Sequence, residues 1–392
     1  ELFSFLPNNT LSRADLLEGS NSDVQNIHYG DVLIKYGSII DVESDDIPSI
    51  VKGKESKGTP YLRDGDVIIA DTAEDEAVGK CCEIINIAGA KVESGLHTIP
   101  CRPLASFEPM YLGYYMNSQY YRKQLFPLMQ GVKVLSISKS NIGKTHLSAP
   151  SSHFEQKKIA AMLHLIDMRI SKQQRIIEVI KKYKRGFISE LLKQKLVLSR
   201  EGEKWQEVSL SDVADGFEYG MNAAATAFDG EHKYIRITDI DDAAHTYIDG
   251  DPVSPSGILE EKYRVKENDI LFARTGASVG KSYLYRKEDG DLFFAGFLIR
   301  IHVKESVDSG YVFLNTLTGD YDKWVLLESV RSGQPGINAE QCRRYRFMLP
   351  PLKSQTQISA IAQKMDEQIN RENQCLRLLH KQRDGMLQQL FI

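Results

Sequence analysis

The chain has 392 residues, which is too long for one ordinary hydrophobic core and predicts two domains of ordinary size with connecting elements. Apolar residues make up 42% and charged residues 26%, a balance that excludes disordered and fibrous proteins. The net charge of −4 argues only weakly against nucleic-acid binding, because the distribution of lysine and arginine matters more than their sum.

The cysteines and the apolar segments indicate where the chain resides. None of the five cysteines has the Cys-x-x-Cys spacing of a zinc or redox site, so we expect free thiols in a reducing compartment. No apolar run is long enough to span a membrane, and Glu1–Ser4 lacks the basic flank and apolar stretch of a signal peptide. We therefore expect a cytoplasmic protein that is neither exported nor membrane-spanning.

In chain order, the first half contains a pattern that the second half repeats. Tyr61–Ala70 and Tyr263–Ala273 each consist of a turn followed by a short apolar run typical of a buried strand. Val78–Lys80 then matches Val279–Lys281. With Gly-rich turns and one or two helices in each half, the pattern predicts two mixed α+β domains that arose by duplication.

A long helix follows each repeat. A heptad seam runs from Ile159 to Leu191, and a shift of 199 residues gives a matching seam from Ile358 to Leu390. Capping boxes begin at Ser152 and Ser354, so each helix should start directly after a globular segment. The centre of the predicted seam comprises Ile166, Ile170, Gln173, Ile177, Ile180, Lys184, Phe187, Met365, Ile369, Glu372, Leu376, Leu379, Arg383 and Met386.

The polar seam positions favour an antiparallel helix pair. In a parallel pair in matched register, Lys184 would face Arg383 and like charges would meet. In an antiparallel pair, Lys184 would instead meet Glu372, and Gln173 would meet Arg383. A structure that pairs Lys184 with another residue would contradict this register.

One segment imitates a nucleotide-binding motif. Gly276–Ser282 resembles a phosphate-binding loop but has three residues between its glycines where four are required. The matching segment Ala77–Lys80 lacks the first glycine. We therefore interpret both segments as turns between strands and expect no nucleotide cofactor.

The motifs of catalysis are missing from the sequence. A methyltransferase would need an Asn/Asp-Pro-Pro-Tyr/Phe motif and a Gly-rich cofactor loop, and the sequence has neither. Asp64 with Asp66, or Asp239 with Asp241 and Asp242, could be called nuclease carboxylates, but acidic turns are far commoner. The nine histidines are scattered. We expect no catalytic site, no metal and no cofactor.

Polar and basic residues in predicted loops are the candidates for contact with nucleic acid. Arginine and glutamine can bind guanine and adenine edges with two hydrogen bonds, while lysine mostly meets phosphate. The candidates are Asn9, Thr10, Ser12, Arg13, Lys80, Lys133, Tyr219, Asn222, Arg274, Lys281, Arg331 and Gln334.

The order of domain, long helix, domain and long helix resembles one protein family. The motif Leu-Pro-Pro-Leu-x-x-Gln-x-x-Ile at 349–358 leads into the second helix, and Tyr183–Leu192 lies near the end of the first. Together these features resemble the specificity subunit of type I restriction-modification enzymes. The first helix entry, Leu147–Gln156, departs from the pattern because it lacks the double proline.

The resemblance implies a non-catalytic subunit that reads a bipartite site in double-stranded DNA, with one recognition domain for each half. It implies two target-recognition domains in pseudo-two-fold arrangement, joined by two long antiparallel coiled-coil helices. The helices would set the spacing between the half-sites and dock two methyltransferase subunits, and restriction/translocase subunits would complete the complex. The expected division is 1–150 and 199–350 for the recognition domains and 151–198 and 351–392 for the spacer helices.

Two other functions fit parts of the pattern. A coiled-coil scaffold could hold protein partners without binding DNA, and a stand-alone enzyme could act on nucleic acid. Salt-dependent binding of one defined duplex in the presence of partner subunits would distinguish a DNA-reading subunit from the scaffold. Methylation or cleavage by the chain alone would favour the enzyme.

Overall fold

The computed structural model describes residues 2–19, 23–193, 204–330 and 334–391. The chain forms two compact units. Unit 1 comprises Glu1–Ile176 and Glu372–Ile392, and unit 2 comprises Ile177–Arg371. The boundary passes through both long helices, so each helix contributes one part to each unit. The division into recognition domains and spacer helices by function stays a prediction.

The main sheet of unit 1 has the strand order β1-β10-β6-β8-β4, in which β4 and β8 are parallel and the other neighbours antiparallel. A second sheet has the order β2-β5-β3-β9, and β11 pairs with β7. The strands are β1 Phe3–Phe5, β2 Leu16–Leu17, β3 Val24–Ile27, β4 Ile39–Asp41, β5 Ser49–Ile50, β6 Val67–Ala70, β7 Thr72–Ala73, β8 Cys81–Ile85, β9 Lys91–Ser94, β10 Thr98–Pro103 and β11 Leu135–Ser136. The α-helices are α1 Tyr111–Asn117, α2 Gln119–Leu125, α3 Lys139–Ile142 and the long α4 His153–Leu192.

The main sheet of unit 2 is antiparallel, with the order β13-β20-β17-β18. Three two-stranded sheets accompany it: β12-β21, β14-β16 and β15-β19. The strands are β12 Gln206–Ser209, β13 Ala214–Tyr219, β14 Ala225–Ala227, β15 Lys233–Ile235, β16 Val253–Pro255, β17 Asp269–Ala273, β18 Ser282–Leu284, β19 Leu292–Phe294, β20 Leu298–Val303 and β21 Arg346–Leu349. The α-helices are α5 Leu210–Val213, α6 Ser309–Asn315, α7 Gly319–Glu328, α8 Ala339–Arg343 and the long α9 Leu352–Gln389.

Both main sheets are covered on two faces, which explains the uninterrupted apolar runs of their central strands. Successive side chains of a strand point to opposite faces. In β17, Ile270 and Phe272 pack into the core beneath the long helices, whereas Leu271 and Ala273 pack into a second core. The strand β6 divides its side chains between two cores in the same way. A run without polar alternation is typical of such a strand.

A buried glutamine attaches each long helix to its own unit. In unit 1, the Gln156 side chain accepts a hydrogen bond from Glu108 N–H at 3.1 Å and donates to the Pro150 carbonyl at 2.8 Å. In unit 2, Gln355 accepts from Asp308 N–H at 3.0 Å and donates to the Pro350 carbonyl at 2.7 Å. The duplicated glutamines therefore make duplicated contacts.

The long helices run antiparallel in each unit. In unit 1, Asp167 bonds Arg383 at 2.6 Å and Gln173 bonds Glu372 at 2.6 Å, so the partner's number falls as the number along α4 rises. In unit 2, Lys184 bonds Asp366 at 2.6 Å, and the following turns of α4 pack near Ile358. All fourteen predicted seam residues are buried or half-buried.

The predicted register is wrong, although the predicted direction is right. Lys184 pairs with Asp366, which lies six residues before the expected Glu372, and Glu372 instead accepts from Gln173. Arg383 pairs with Asp167 rather than with Gln173. The 199-residue shift that relates the seams also relates Asp167 to Asp366, so the two ion pairs are repeats of one another.

A double-mutant cycle tests the helix register. Because the Lys184 side chain is 16% exposed and the Asp366 side chain 36% exposed, we expect Lys184→Ala and Asp366→Ala to show a coupling free energy of about 1 kcal/mol in urea unfolding. The matched control is the exposed pair Glu178 and Lys181 on α4, for which the coupling should approach zero. Equal coupling in the two cycles would contradict the register.

Candidate nucleic-acid interface

Several ends of the main-sheet strands meet at one edge of unit 2. The strand β13 ends at Tyr219, β17 ends directly before Arg274, and β20 begins directly after Phe297. Arg274 N–H donates to the Phe297 carbonyl at 3.0 Å, and the Arg274 carbonyl accepts from Ile337 N–H at 2.9 Å. Gln334 lies on the segment that leads to Ile337. We refer to Tyr219, Arg274, Phe297 and Gln334 as the unit 2 edge.

The Arg274 side chain rests on an aromatic ring. Its guanidinium carbon lies 4.7 Å from the centroid of the Tyr219 ring, within the range of a cation–π contact. The Tyr219 hydroxyl oxygen accepts a hydrogen bond from Ala339 N–H at 3.1 Å, which fixes the ring. Within the described residues, the guanidinium forms no ion pair and donates no hydrogen bond. Its N–H donors are therefore held in place and unused.

The equivalent edge of unit 1 carries different chemistry. Asp71 N–H donates to the His97 carbonyl at 3.0 Å, and the Asp71 carbonyl accepts from Ile137 N–H at 2.8 Å, so Asp71 occupies the position of Arg274. The Asp71 carboxylate accepts from the Thr72 hydroxyl at 2.7 Å and lies 3.2 Å from Nδ1 of His97. The His97 ring packs edge-on against Tyr29, with centroids 5.3 Å apart. We refer to Tyr29, Asp71 and His97 as the unit 1 edge.

The two edges offer hydrogen-bond donors, acceptors and aromatic faces, which are the groups that recognise base edges. In the part of the chain that the structure describes, no cluster of three histidine, cysteine or acidic residues could hold a metal. No helix there is long and apolar enough to cross a membrane. The edges are therefore the candidate positions for contact with nucleic acid.

Comparisons with known proteins show which family the chain resembles. Residues 202–379 match the family model described as the type I restriction modification DNA specificity domain. This segment of the chain is thus similar to a type I DNA specificity domain. The similarity to type I specificity subunits that the sequence predicts is thereby confirmed.

Relatives are similar over most of this chain. The StySPI specificity subunit of Salmonella potsdam is 22% identical over 293 residues, which cover 69% of this chain and 62% of that protein. The EcoKI specificity subunit of Escherichia coli K12 is 20% identical over 290 residues, which cover 66% of this chain and 60% of that protein. The chain thus spans less than two thirds of the length of these relatives.

A solved structure supports the fold class. The crystal structure of the type I system S subunit from M. genitalium aligns with a TM-score of 0.56 at 14% identity. The alignment covers 100% of this chain and 94% of that one. The predicted α+β architecture with long helices is confirmed at the level of the fold.

The structure brings three of the predicted contact residues together, Tyr219, Arg274 and Gln334, at the unit 2 edge. Asn222 and Lys133 are exposed. Arg331 lies outside the described residues. The prediction for these residues stays untested as a statement about nucleic acid.

The candidates near the chain start differ in what their side chains can do. Asn9 is 5% exposed, and its amide donates to Asn26 at 2.7 Å and to Glu93 at 2.8 Å. Because the Asn9 amide already donates both hydrogen bonds inside the unit, the structure argues against Asn9 as a base reader. Thr10 is exposed.

Two further candidates at the chain start are occupied by acidic partners. The Ser12 hydroxyl donates to Asp15 at 2.7 Å. Arg13 donates to both carboxylate oxygens of Asp31 at 2.9 Å. An arginine already held by a carboxylate must give up that pair before it can bind a base.

The two lysines of the Val-Gly-Lys turns hold their units together. Lys80 donates to two backbone carbonyls at 2.9 Å each, and burial lowers its pKa. Lys281 donates to one backbone carbonyl at 2.8 Å and to the Asp242 carboxylate at 2.6 Å, and its side chain is 9% exposed. Both lysines have internal partners, which argues against the expected contact with DNA.

The sequence analysis missed Phe297, Asp71 and His97. Phe297 is 62% exposed, and each of the three lies directly beside a strand of a main sheet. The signal was present in the repeat, because aligning the ends of β6 and β17 places Asp71 opposite Arg274. The sequence analysis considered mainly basic and amide side chains, and it therefore did not select the carboxylate of Asp71 or the rings of His97 and Phe297.

The turn that imitates a phosphate-binding loop is a packing element. Gly280 has a φ of 83°, its N–H donates to the Ala273 carbonyl at 2.8 Å, and an added Cβ would lie 2.6 Å from a methyl of Val325. Gly79 has a φ of 81° and would meet Leu125 at 2.7 Å. The glycine lets helix α7 or α2 pack against the turn.

A glycine substitution tests this structural role. We expect Gly280→Ala to lower the free energy of unfolding by about 1–3 kcal/mol from backbone strain, with a further loss from the overlap with Val325. The control is Gly257→Ala, because Gly257 has a φ of 87° and open space around it, so only the strain applies. Equal losses in urea unfolding would contradict the packing role.

Proposed function

We propose that the chain is the DNA sequence-specificity subunit of a type I restriction-modification complex and reads a bipartite site in double-stranded DNA with its two units. The observation that carries the proposal is the match of residues 202–379 to the DNA specificity domain. The duplicated framework with different edge chemistry supports a reader whose two halves contact different sequences. Methylation and cleavage come from partner subunits, and the complex acts in the cytoplasm.

The long helices supply the geometry that a bipartite reader needs. Helix α4 has 40 residues and α9 has 38 residues, and a rise of about 1.5 Å per residue gives lengths of roughly 60 Å. We propose that the pair acts as a spacer that fixes the distance between the half-sites, since the separation of two rigid readers sets the spacing of the bases they can reach. A spacer of this kind needs a fixed register, which the paired ions in the seam supply.

Helix α4 also offers a surface for a partner. In unit 1, Phe154, Met162, Leu165, Met168 and Ile176 are exposed at spacings typical of one helix face, and Phe154 is 67% exposed. In the part of α4 that belongs to unit 2, Val179 and Tyr183 are each 60% exposed. We propose that methyltransferase subunits dock on these apolar residues, and that restriction/translocase subunits join the assembled complex.

DNA binding provides the first test. We expect the chain, co-purified with its cognate methyltransferase subunit, to bind one duplex identified by methylome mapping in cells with and without the gene. Its affinity should fall by about 1,000-fold or more between 50 mM and 200 mM salt if six or more phosphates are neutralised. An unchanged methylome after gene deletion would contradict the proposal. Partner binding without salt-dependent duplex binding would favour the scaffold.

Partner docking provides the second test. We expect Leu165→Glu to weaken binding of the methyltransferase subunit by about tenfold or more, because it places a charge in an apolar contact. The matched control is Ser171→Glu, which adds the same charge at another exposed position of α4. Calorimetric titration measures both affinities. A Leu165→Glu chain that binds as tightly as the control would place the docking surface elsewhere.

A further inference from the structure

We propose that Arg274 reads a guanine through the major groove in the half-site contacted by unit 2. The inference rests on the proposed function and adds the residue and the base. An arginine binds guanine by donating two parallel hydrogen bonds to O6 and N7, which no other base offers in the same positions. Such a contact requires an arginine whose N–H donors are free and suitably placed.

Several other arginines of unit 2 have a carboxylate partner that Arg274 lacks. Arg236 donates to Asp239 at 2.8 Å, Arg264 donates to Asp291 at 2.8 Å, and Arg346 lies 3.2 Å from Glu207. Arg300 also has a carboxylate partner in Glu218. Among the described residues, Arg274 has the Tyr219 ring in place of a carboxylate. A guanidinium stacked on a ring keeps its N–H edge available, since the donors lie in the plane of the group.

The backbone of Arg274 and the ring beneath its side chain are both held by hydrogen bonds. Its backbone is hydrogen-bonded on both sides, to Phe297 and to Ile337, at the end of a central strand. The Tyr219 ring beneath the side chain is itself held by Ala339 N–H. An ordered arginine loses less rotamer freedom on binding than a free one, which favours a specific contact over a general attraction to phosphate.

The side chain at the equivalent position of the unit 1 edge limits the contact between Arg274 and guanine to one half-site. Asp71 stands at the position of Arg274, and its carboxylate is an acceptor that cannot donate to guanine O6 or N7. The two units therefore share a framework, but the unit 2 edge has a positively charged side chain where the unit 1 edge has a carboxylate. We infer that the guanine read by Arg274 has no counterpart at the matching position of the other half-site.

The test uses the assembled complex and the duplex identified by methylome mapping. Each guanine in the two half-sites is replaced in turn by 7-deazaguanine, which lacks the N7 acceptor. We expect one replacement, in one half-site, to weaken binding by about fivefold or more. With Arg274→Ala, that same replacement should have no further effect. Arg274→Lys keeps the charge but loses the planar fork, so it should recover little of the preference for guanine.

Arg346→Ala is the matched control, because it removes an exposed arginine from the same unit. Its response to every 7-deazaguanine duplex should equal that of the unchanged complex. A set of duplexes in which Arg274→Ala responds as the control does would overturn the inference while leaving the proposed function intact. A complex that binds no defined duplex would overturn both. The 7-deazaguanine scan of the unchanged complex needs no variant, so a folding defect in Arg274→Ala cannot mimic support.

Discussion

The structure depends on a buried amide at the start of each long helix. Gln156 and Gln355 are 4% and 2% exposed, and each satisfies one backbone donor and one backbone acceptor that the fold removes from water. A buried donor or acceptor without a partner costs about 1–3 kcal/mol, so each glutamine fixes the direction in which its helix leaves the globular part. Because the contacts are duplicated, both helices leave their own units by the same geometry.

The ion pairs at the border of the seam explain why the direction of the helix pair could be predicted and its register could not. The apolar periodicity identified both helices and their buried faces, and repulsion between like charges excluded the parallel pair. The register was assigned from polar residues within the seam alone. Asp167 and Asp366 flank the seam, and they supply the carboxylates that Arg383 and Lys184 bond. Counting heptad positions identifies only the seam residues. It does not identify the residues beside the seam, although these lie within reach of a long basic side chain.

The sequence predicted which types of side chain would lie at the candidate interface, but it did not predict which individual residues would lie there. Arginine, tyrosine and glutamine were expected in loops, and the structure places three such residues at one edge. Lys80 and Lys281 were equally basic in the sequence, yet both donate to backbone carbonyls inside their units. The difference arises from the Val-Gly-Lys turn, which directs its lysine inward, whereas the residue directly after the central strand stays at the rim. A sequence alone does not distinguish these two directions.

The separation of the framework from the edges has a consequence for how such a protein can change. The glutamines, the glycine turns and the seam ion pairs hold the fold, and none of these groups belongs to the unit 1 edge or the unit 2 edge. A substitution of Arg274 or Asp71 removes contacts at its own edge, such as the hydrogen bond from Thr72 to Asp71, but leaves those of the glutamines, the glycine turns and the helix ion pairs in place. Variation at the edges therefore need not disturb the framework that holds each unit.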